Sequence, residues 1–258
     1  MSSFDPSWLA LREGYDHAVR DRGLTDAFVA VLGPSPKLMD LGCGTGSNLR
    51  YLSPHLDRGQ RWTCVDYDPA LLEKLEVTKP KGINVEGLQM DLAQDLESLE
   101  VMVGMGVTST ALLDLCSAAW LDHLAQHCRK VPLLMTLIYD GRMIWSPHDP
   151  DDEAINAAFN QHQRSDKGFG PALGPDAASH MAEALEAVGH DVRQATSDWI
   201  FDAEDGVILS AMVTGITAAA KEYDPSLPID AWRTRRQHDI ATRALSLTVG
   251  HLDLLAIP

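Results

Sequence analysis

The chain is short of positive charge. Among its 258 residues, 21 are Lys or Arg and 37 are Asp or Glu, for a formal net charge of −16. A field of that sign repels phosphate backbones and argues against nucleic acid as a partner. Cysteine is equally sparse. Cys43, Cys64, Cys116 and Cys128 include no C-x-x-C pair, so structural zinc is not expected, and the thiols read as the reduced core or loop cysteines of a cytoplasmic protein. No run of about 18 uncharged apolar residues occurs, so no membrane span is expected. The opening MSSFDPSWLALRE lacks the basic and apolar stretches of an export signal. Internal repeats and low-complexity linkers are also missing, and a single domain over 1–258 is expected. With 45% apolar residues it has enough material for a sizeable core.

The most informative segment present is LMDLGCGTG, Leu38 to Gly46. Lys37–Leu41 reads as a buried parallel strand ending at an acid, Asp40. Gly42, Gly44 and Gly46 follow on alternate positions and allow a tight turn that brings a ligand against the main chain. Ser47–Leu52 can then open a helix whose first amides are free. A dinucleotide fold wants G-x-G-x-x-G, and here the third glycine arrives one residue early, with Ser47 in the last place. Asp40 would also repel a pyrophosphate, whereas a ligand with a cationic end suits it.

Two further acids recur at even spacing. Trp62–Val65 reads as a second strand ended by Asp66, and Asp68-Pro69 starts a helix. Ile83–Met90 reads as a third strand ended by Asp91, which can equally cap a helix over Leu92–Leu99. A dinucleotide site also wants an acid at Asp66. Three acids at the ends of three successive strands lie where open α/β sheets bind ligands.

On these residues the chain resembles the class I S-adenosylmethionine-dependent methyltransferases of the small-molecule type. The resemblance implies a Rossmann-like three-layer α/β/α sandwich. Its seven-stranded, mostly parallel sheet would have an antiparallel last strand and N-terminal cap helices. It implies S-adenosylmethionine as cofactor and S-adenosylhomocysteine as product. Asp40, Gly42, Cys43, Gly44 and Gly46 would form the glycine turn. Asp66, with Tyr67 beside it, would take the ribose hydroxyls, and Asp91 with the Leu92 amide the adenine. Asp114 and Leu115, closing the fourth strand, would pass the sulfonium. Two alternatives stay open: a protein of this fold that uses or binds the cofactor without methyl transfer, and an NAD-dependent oxidoreductase.

The remaining segments divide the chain. Residues 1–36 hold two helical runs, Trp8–Asp21 and Leu24–Leu32, which look like cap helices over a cofactor cleft. Tyr15 and Asp16 are candidates to face the cofactor, and Arg12 and Arg20 to approach its carboxylate. Residues 37–139 form the cofactor half, with a fourth strand at Val107–Leu115, a helix at Ser117–Cys128 and a fifth strand at Val131–Tyr139. No N-P-P-Y or D-P-P-Y run follows the fourth strand, which argues against the amino-methylating DNA and protein-glutamine enzymes. Residues 140–175 read as an acceptor-binding insertion: a turn-rich stretch over 141–152, a helix over 153–163, then a broken loop. Arg142, His148, His162, Arg164 and Lys167 concentrate positive charge there. With Tyr139 they suggest a small acceptor bearing a carboxylate or other anionic group. His162, then Asp166 and His148, are the candidates for a general base. HDPDDE, His148 to Glu153, invites a metal reading, but its spacing matches no calcium loop and no metal is expected. Residues 176–258 complete the sheet, with helices over 176–188, 204–221 and 229–243, a strand over 190–200, and a last strand over 246–258 carrying Val249, His251 and Asp253 on one parity. The oligomeric state and the acceptor are not legible.

Overall fold

The computed structural model describes residues 5–258, so the first four residues of the expected cap segment lie outside it. Two helices precede the sheet, α1 (Pro6–Val19) and α2 (Arg22–Val31). Each begins on an aspartate, Asp5 or Asp21, whose carboxylate accepts an amide hydrogen bond from the first turn. Strand β1 (Lys37–Leu41) enters the glycine turn and leaves it into α3 (Ser47–Leu52). Then come β2 (Arg61–Asp66), α4 (Pro69–Thr78), β3 (Asn84–Gln89), α5 (Leu92–Asp95), β4 (Met105–Thr110) and α6 (Ala118–His127). These alternate as the βα units that a parallel sheet requires. Caps mark the helix starts again: Asp68 precedes Pro69, and Asp91 and Ser117 accept from Ala93 and Trp120. The second half holds β5 (Leu133–Ser146), α7 (Asp152–Gln163), α8 (Ala177–Ala187), β6 (Asp191–Thr196), β7 (Trp199–Phe201), α9 (Gly206–Tyr223), α10 (Ile229–Ala241) and β8 (Ser246–Ile257).

Among the described residues the sheet has eight strands. Its main path runs β3-β2-β1-β4-β5-β8-β6, with β7 paired to β8 off that path. The first five strands are mutually parallel, and β8 runs antiparallel between β5 and β6. The architecture is thus the expected sandwich with one strand more than expected. The stretch 190–200 does not form one strand: it turns at Ser197 and resumes as β7 on the lower half of β8. The fourth strand also ends earlier than its apolar pattern suggests, because residues 113–115 close into a 3-10 turn.

The largest difference lies after Tyr139. The turn-rich reading of 141–152 is replaced by a continuation of β5 to Ser146, paired with Ser246–Val249 of β8. Two irregularities in the β5–β8 register make this possible, between Met135 and Ile138 and between Tyr139 and Met143. At the first, Leu137 adopts φ of 54° and its amide donates to Asp253 Oδ1 at 2.9 Å. The same buried carboxylate accepts from Ser197 Oγ at 2.7 Å and from the Asp21 amide at 2.9 Å. Asp253 therefore ties the bulge, the β6–β7 bend and the α1–α2 junction together. A bulge twists and bends the strand, and here it carries the β5–β8 pair beyond the sandwich.

Three apolar clusters follow from this plan. One packs α6 and α8 on one face of the sheet, through Leu121, Leu124, Met181 and Leu185. Another packs α2, α3 and α4 on the opposite face, through Phe28, Leu49, Leu52 and Leu75. The third lies over the extension, where Trp145, Phe201, Ile208, Ile216 and Trp232 join α7, α9 and α10. Its edge is held by a buried ion pair, with Arg236 donating to both oxygens of Asp152 and to the Pro147 carbonyl. No described helix is long and apolar enough to cross a membrane.

Candidate active site

Two adjoining cavities open at the carboxyl ends of the central strands. The first is built around the glycine turn. Gly42, Gly44 and Gly46 have φ of 65°, 54° and 85°, a region that side-chain-bearing residues avoid. Gly42, Cys43, Gly44 and Thr45 line this cavity, together with Asp40, Asp66, Tyr67, Met90 and Leu92. Gly46 does not line it. A Cβ there would run into Leu75, so this glycine lets α3 dock closely on α4.

Asp40 is the most informative group. It is 1% exposed, and its Oδ1 accepts from Asn48 Nδ2 at 2.6 Å. Its Oδ2 is buried without a hydrogen-bond partner. Burial pushes its carboxyl up to about 7, against the hydrogen bond from Asn48 and the nearby positive charge of Arg20. Asn48 is itself oriented, because its Oδ1 accepts from Arg20 Nη1 at 2.6 Å and its Nδ2 also donates to Thr108 Oγ1 at 2.9 Å. Arg20 was expected near a cofactor carboxylate. Instead it is buried, stacks 4.0 Å over the Tyr51 ring and acts on the cavity through Asn48.

Asp66 Oδ2 accepts from the Gly44 amide at 2.8 Å, and Oδ1 from the Asp68 amide at 3.0 Å. These bonds hold its carboxylate at the lip of the glycine turn, while burial raises its pKa against them. Asp91 is not among the lining residues, although Met90 and Leu92 on either side of it are. Its carboxylate caps α5 by accepting from Ala93 at 3.0 Å.

Helix α1 closes the cavity from above, contributing Leu9, Arg12 and Asp16. It is held by the Arg50–Glu13 pair at 2.6 Å, by His17 against Ser47 Oγ at 3.0 Å, and by Trp199 Nε1 donating to Asp16 at 3.1 Å. Arg12 donates to Asp16 Oδ2 at 2.8 Å and lies 4.8 Å over the Trp199 ring. Tyr15 does not face the cofactor side. Its hydroxyl donates to Asp205 at 2.6 Å and its ring packs on Phe201, because it lies on the helix face turned to α9.

The second cavity shares Arg12, Ala111 and Leu115 with the first. Its walls are largely aromatic and aliphatic: Trp8, Leu137, Tyr139, Phe159, Trp199 and Ile216. Asp114 lines this cavity rather than the first one. Its Oδ1 is buried and unpartnered, and burial raises its carboxyl to about 6. Tyr139 donates its hydroxyl to Asn160 at 2.7 Å. His251 Nδ1 lies 3.1 Å from the Val249 carbonyl, so Nδ1 carries the hydrogen and Nε2 the lone pair. Burial lowers its pKa to about 3, which keeps it neutral.

The positive residues predicted for the acceptor are placed otherwise. Arg142 is exposed and spans Asp140 and Asp198, and Arg164 pairs with Asp176. Neither lines either of these two cavities. The β5 extension carries Arg142 to the open side of the sheet, and Arg164 follows the end of α7. Lys167 lines the first cavity rather than the second. Of the three base candidates, only His162 lines the second cavity, bonded to Glu222 at 3.3 Å. Asp166 is exposed and accepts from the Gly168 and Gly170 amides. His148 is 80% exposed, and the acids after it are held by Arg235 and Arg236. The residues of the second cavity that were missed from sequence come from distant segments. The one readable signal was on α9, where Ala211, Gly215 and Ala219 repeat at helical spacing and leave room beside Met212 and Ile216.

Comparison with known proteins agrees with this geometry. Residues 38–131 match a family described as "Methyltransferase domain". No curated protein matches the sequence. Among solved structures, a mycolic acid cyclopropane synthase crystallised with SAH and CTAB superimposes with a TM-score of 0.51 at 11% identity, over 90% of this chain and 83% of that one. A cyclopropane-fatty-acyl-phospholipid synthase-like protein from Lactobacillus casei gives 0.53 at 15%, over 98% and 94%. The cyclopropane synthase MmaA2 from Mycobacterium tuberculosis gives 0.51 at 10%, over 92% and 88%. At such identities these likenesses concern the fold.

Proposed function

We propose that residues 38–131, which match a methyltransferase domain, are of the class I, S-adenosylmethionine-dependent kind, and that the chain methylates a small acceptor with a largely apolar body, seated in the second cavity. The observation that carries this reading is the pair of cavities meeting at Arg12, Ala111 and Leu115. The acid-lined member has a buried, unpartnered Asp40 oxygen, which fits a cationic amino end and not a pyrophosphate. The cofactor supplies a methyl group on a positively charged sulfur, activated for displacement.

The chain's own residues then have separable tasks. Asp40, aligned by Asn48, accepts from the cofactor's ammonium. Asp66 accepts from the ribose hydroxyls, as a carboxylate with lone pairs left beyond its amide bonds can do. Leu92 opens α5, so its amide has no partner within that helix and is available to the adenine, with Asp91 beside it. Arg12 is placed to meet the cofactor carboxylate at the boundary between the cavities. Helix α1 and the aromatic walls exclude water, so that alignment of acceptor and methyl supplies most of the rate. In this reading 1–258 is one catalytic unit with α1 and α2 as its cap. The acceptor residues come from both sides of 140–175 rather than from that insertion alone. The expected anionic acceptor is not favoured, because Arg142 and Arg164 line neither cavity.

The test is incubation with methyl-labelled S-adenosylmethionine and a size-fractionated metabolite extract. Label is expected in the small-molecule fraction. Label confined to protein or nucleic acid would overturn the reading.

A further inference from the structure

The second cavity contains a buried carboxylate with one oxygen that no protein donor meets, although Arg12 lends it positive charge. Asp114 sits in the 3-10 turn after β4 and is 7% exposed, with Oδ1 unpartnered. The groups facing it from each neighbouring element are otherwise committed. From α1, Arg12 is paired to Asp16 and stacked on Trp199. From β5, the Tyr139 hydroxyl donates to Asn160. From α7, His162 is bonded to Glu222 and to Lys167. From β8, His251 is neutral, with its Nδ1 hydrogen given to Val249. Around this single acid stand the rings of Trp8, Tyr139, Phe159 and Trp199. Ring faces attract cations, and a buried carboxylate without a partner is stabilised by one.

We propose that the acceptor is a small primary or secondary amine on a flat apolar body, bound as its ammonium against Asp114, which takes up its proton before transfer. The proposal rests on the reading that the second cavity receives the acceptor. The balance is simple. The ammonium gives one proton to the Asp114 carboxylate and becomes a neutral amine. The nitrogen lone pair forms the N–C bond to the methyl carbon while the C–S bond breaks with its electron pair left on sulfur. The products are a methylated ammonium, S-adenosylhomocysteine and protonated Asp114, which returns its proton to solvent. Asp114 lies beside Leu115, which borders both cavities, so the nitrogen it holds is at the junction that the methyl group must cross.

The experiment is calorimetry at pH 7.5 on protein saturated with S-adenosylhomocysteine, using benzylamine, benzyl alcohol and benzoate as probes of one shape and three charges. Benzylamine should bind at least about tenfold more tightly than benzyl alcohol, the range of a charge-assisted hydrogen bond, with benzoate weakest. Asp114→Asn should bring benzylamine down to the level of benzyl alcohol and leave benzyl alcohol itself unchanged, which also reports an intact cavity. Should that variant fail to fold, the ranking on the wild-type chain decides. No preference for benzylamine, a preference for benzoate, binding of none of the three, or a preference that survives Asp114→Asn would overturn the proposal. The S-adenosylhomocysteine titration separates the two readings. Its success without an amine preference sinks this inference alone, and its failure sinks the proposed function.

Discussion

Replacing Asp40 by Asn should weaken cofactor binding and strengthen the empty protein at the same time. The carboxyl is raised from 3.8 to about 7, and at about 1.4 kcal/mol per unit the ionised form carries a cost of about 4 kcal/mol. Asn removes that cost and keeps an oxygen for the Asn48 donor. Its amide hydrogens then stand where Oδ2 had no partner, which costs about 2 kcal/mol. About 2 kcal/mol of stabilisation remains, a melting rise of roughly 4–8 °C at pH 8 for a chain of this size. The sign with pH follows from linkage. The folded pKa lies above the unfolded one, so the stability contributed by Asp40 is fully present below about pH 4 and is lost as pH rises through 7. The advantage of Asp40→Asn should therefore widen between pH 5 and pH 8. Binding moves the other way, because loss of a charge-assisted hydrogen bond to the ammonium should raise the Kd for S-adenosylhomocysteine by about ten- to a hundredfold. Wild-type affinity should climb from pH 6 to 8 and that of the variant should stay flat. Scanning calorimetry and titration calorimetry read the two effects. A lower melting temperature at pH 8, or a Kd within about twofold of wild type, would refute the assignment of the unpartnered oxygen.

The other predictions concern the turn, the cap, the surface and a buried ion pair. Gly46→Ala places a side chain at φ of 85° and against Leu75; it should cost about 2–3 kcal/mol and show as an earlier urea midpoint. Tyr15→Phe removes the hydroxyl bond to Asp205; about 1 kcal/mol of lost anchoring should appear as faster amide exchange across Pro6–Val19, and unchanged exchange there would count against α1 as a tethered cap. Arg142→Ala and Arg164→Ala, outside both cavities, should leave S-adenosylhomocysteine affinity within about twofold, a bound set by typical surface substitutions. Arg236→Met leaves buried Asp152 without its cation and should lower stability by about 3–5 kcal/mol, measured as a fall in the melting midpoint.

The cofactor half was readable because its determinants are local. Asp40, Asp66 and Asp91 each end an apolar run, and parallel βα units carry such ends to one edge of the sheet whatever the rest of the chain does. Asp68-Pro69 and Ser117 were legible as helix starts for the same reason. The reading failed where a residue's fate depends on partners far along the chain. Arg142 looked like an acceptor residue in a turn. Pairing with β8 instead drew residues 141–146 into β5 and set Arg142 between Asp140 and Asp198. Tyr15 and Asp16 are neighbours with one helical pattern, yet Trp199 and Asp205 send them to different sides of the cap.

By itself, then, the sequence determined the glycine turn, the acids around it, and the order of the first five strands and the helices between them. These rest on hydrophobic period, turn chemistry and capping, which act within a few residues. The tertiary structure alone decided the second cavity. Its walls come from α1, the turn after β4, β5, α7, β7, α9 and β8, and no local pattern links Trp8 to Asp114 and His251. Burial also decided the chemistry of the acids, since Asp40 and Asp114 read like any other aspartate until the fold removes their water and leaves one oxygen of each without a partner.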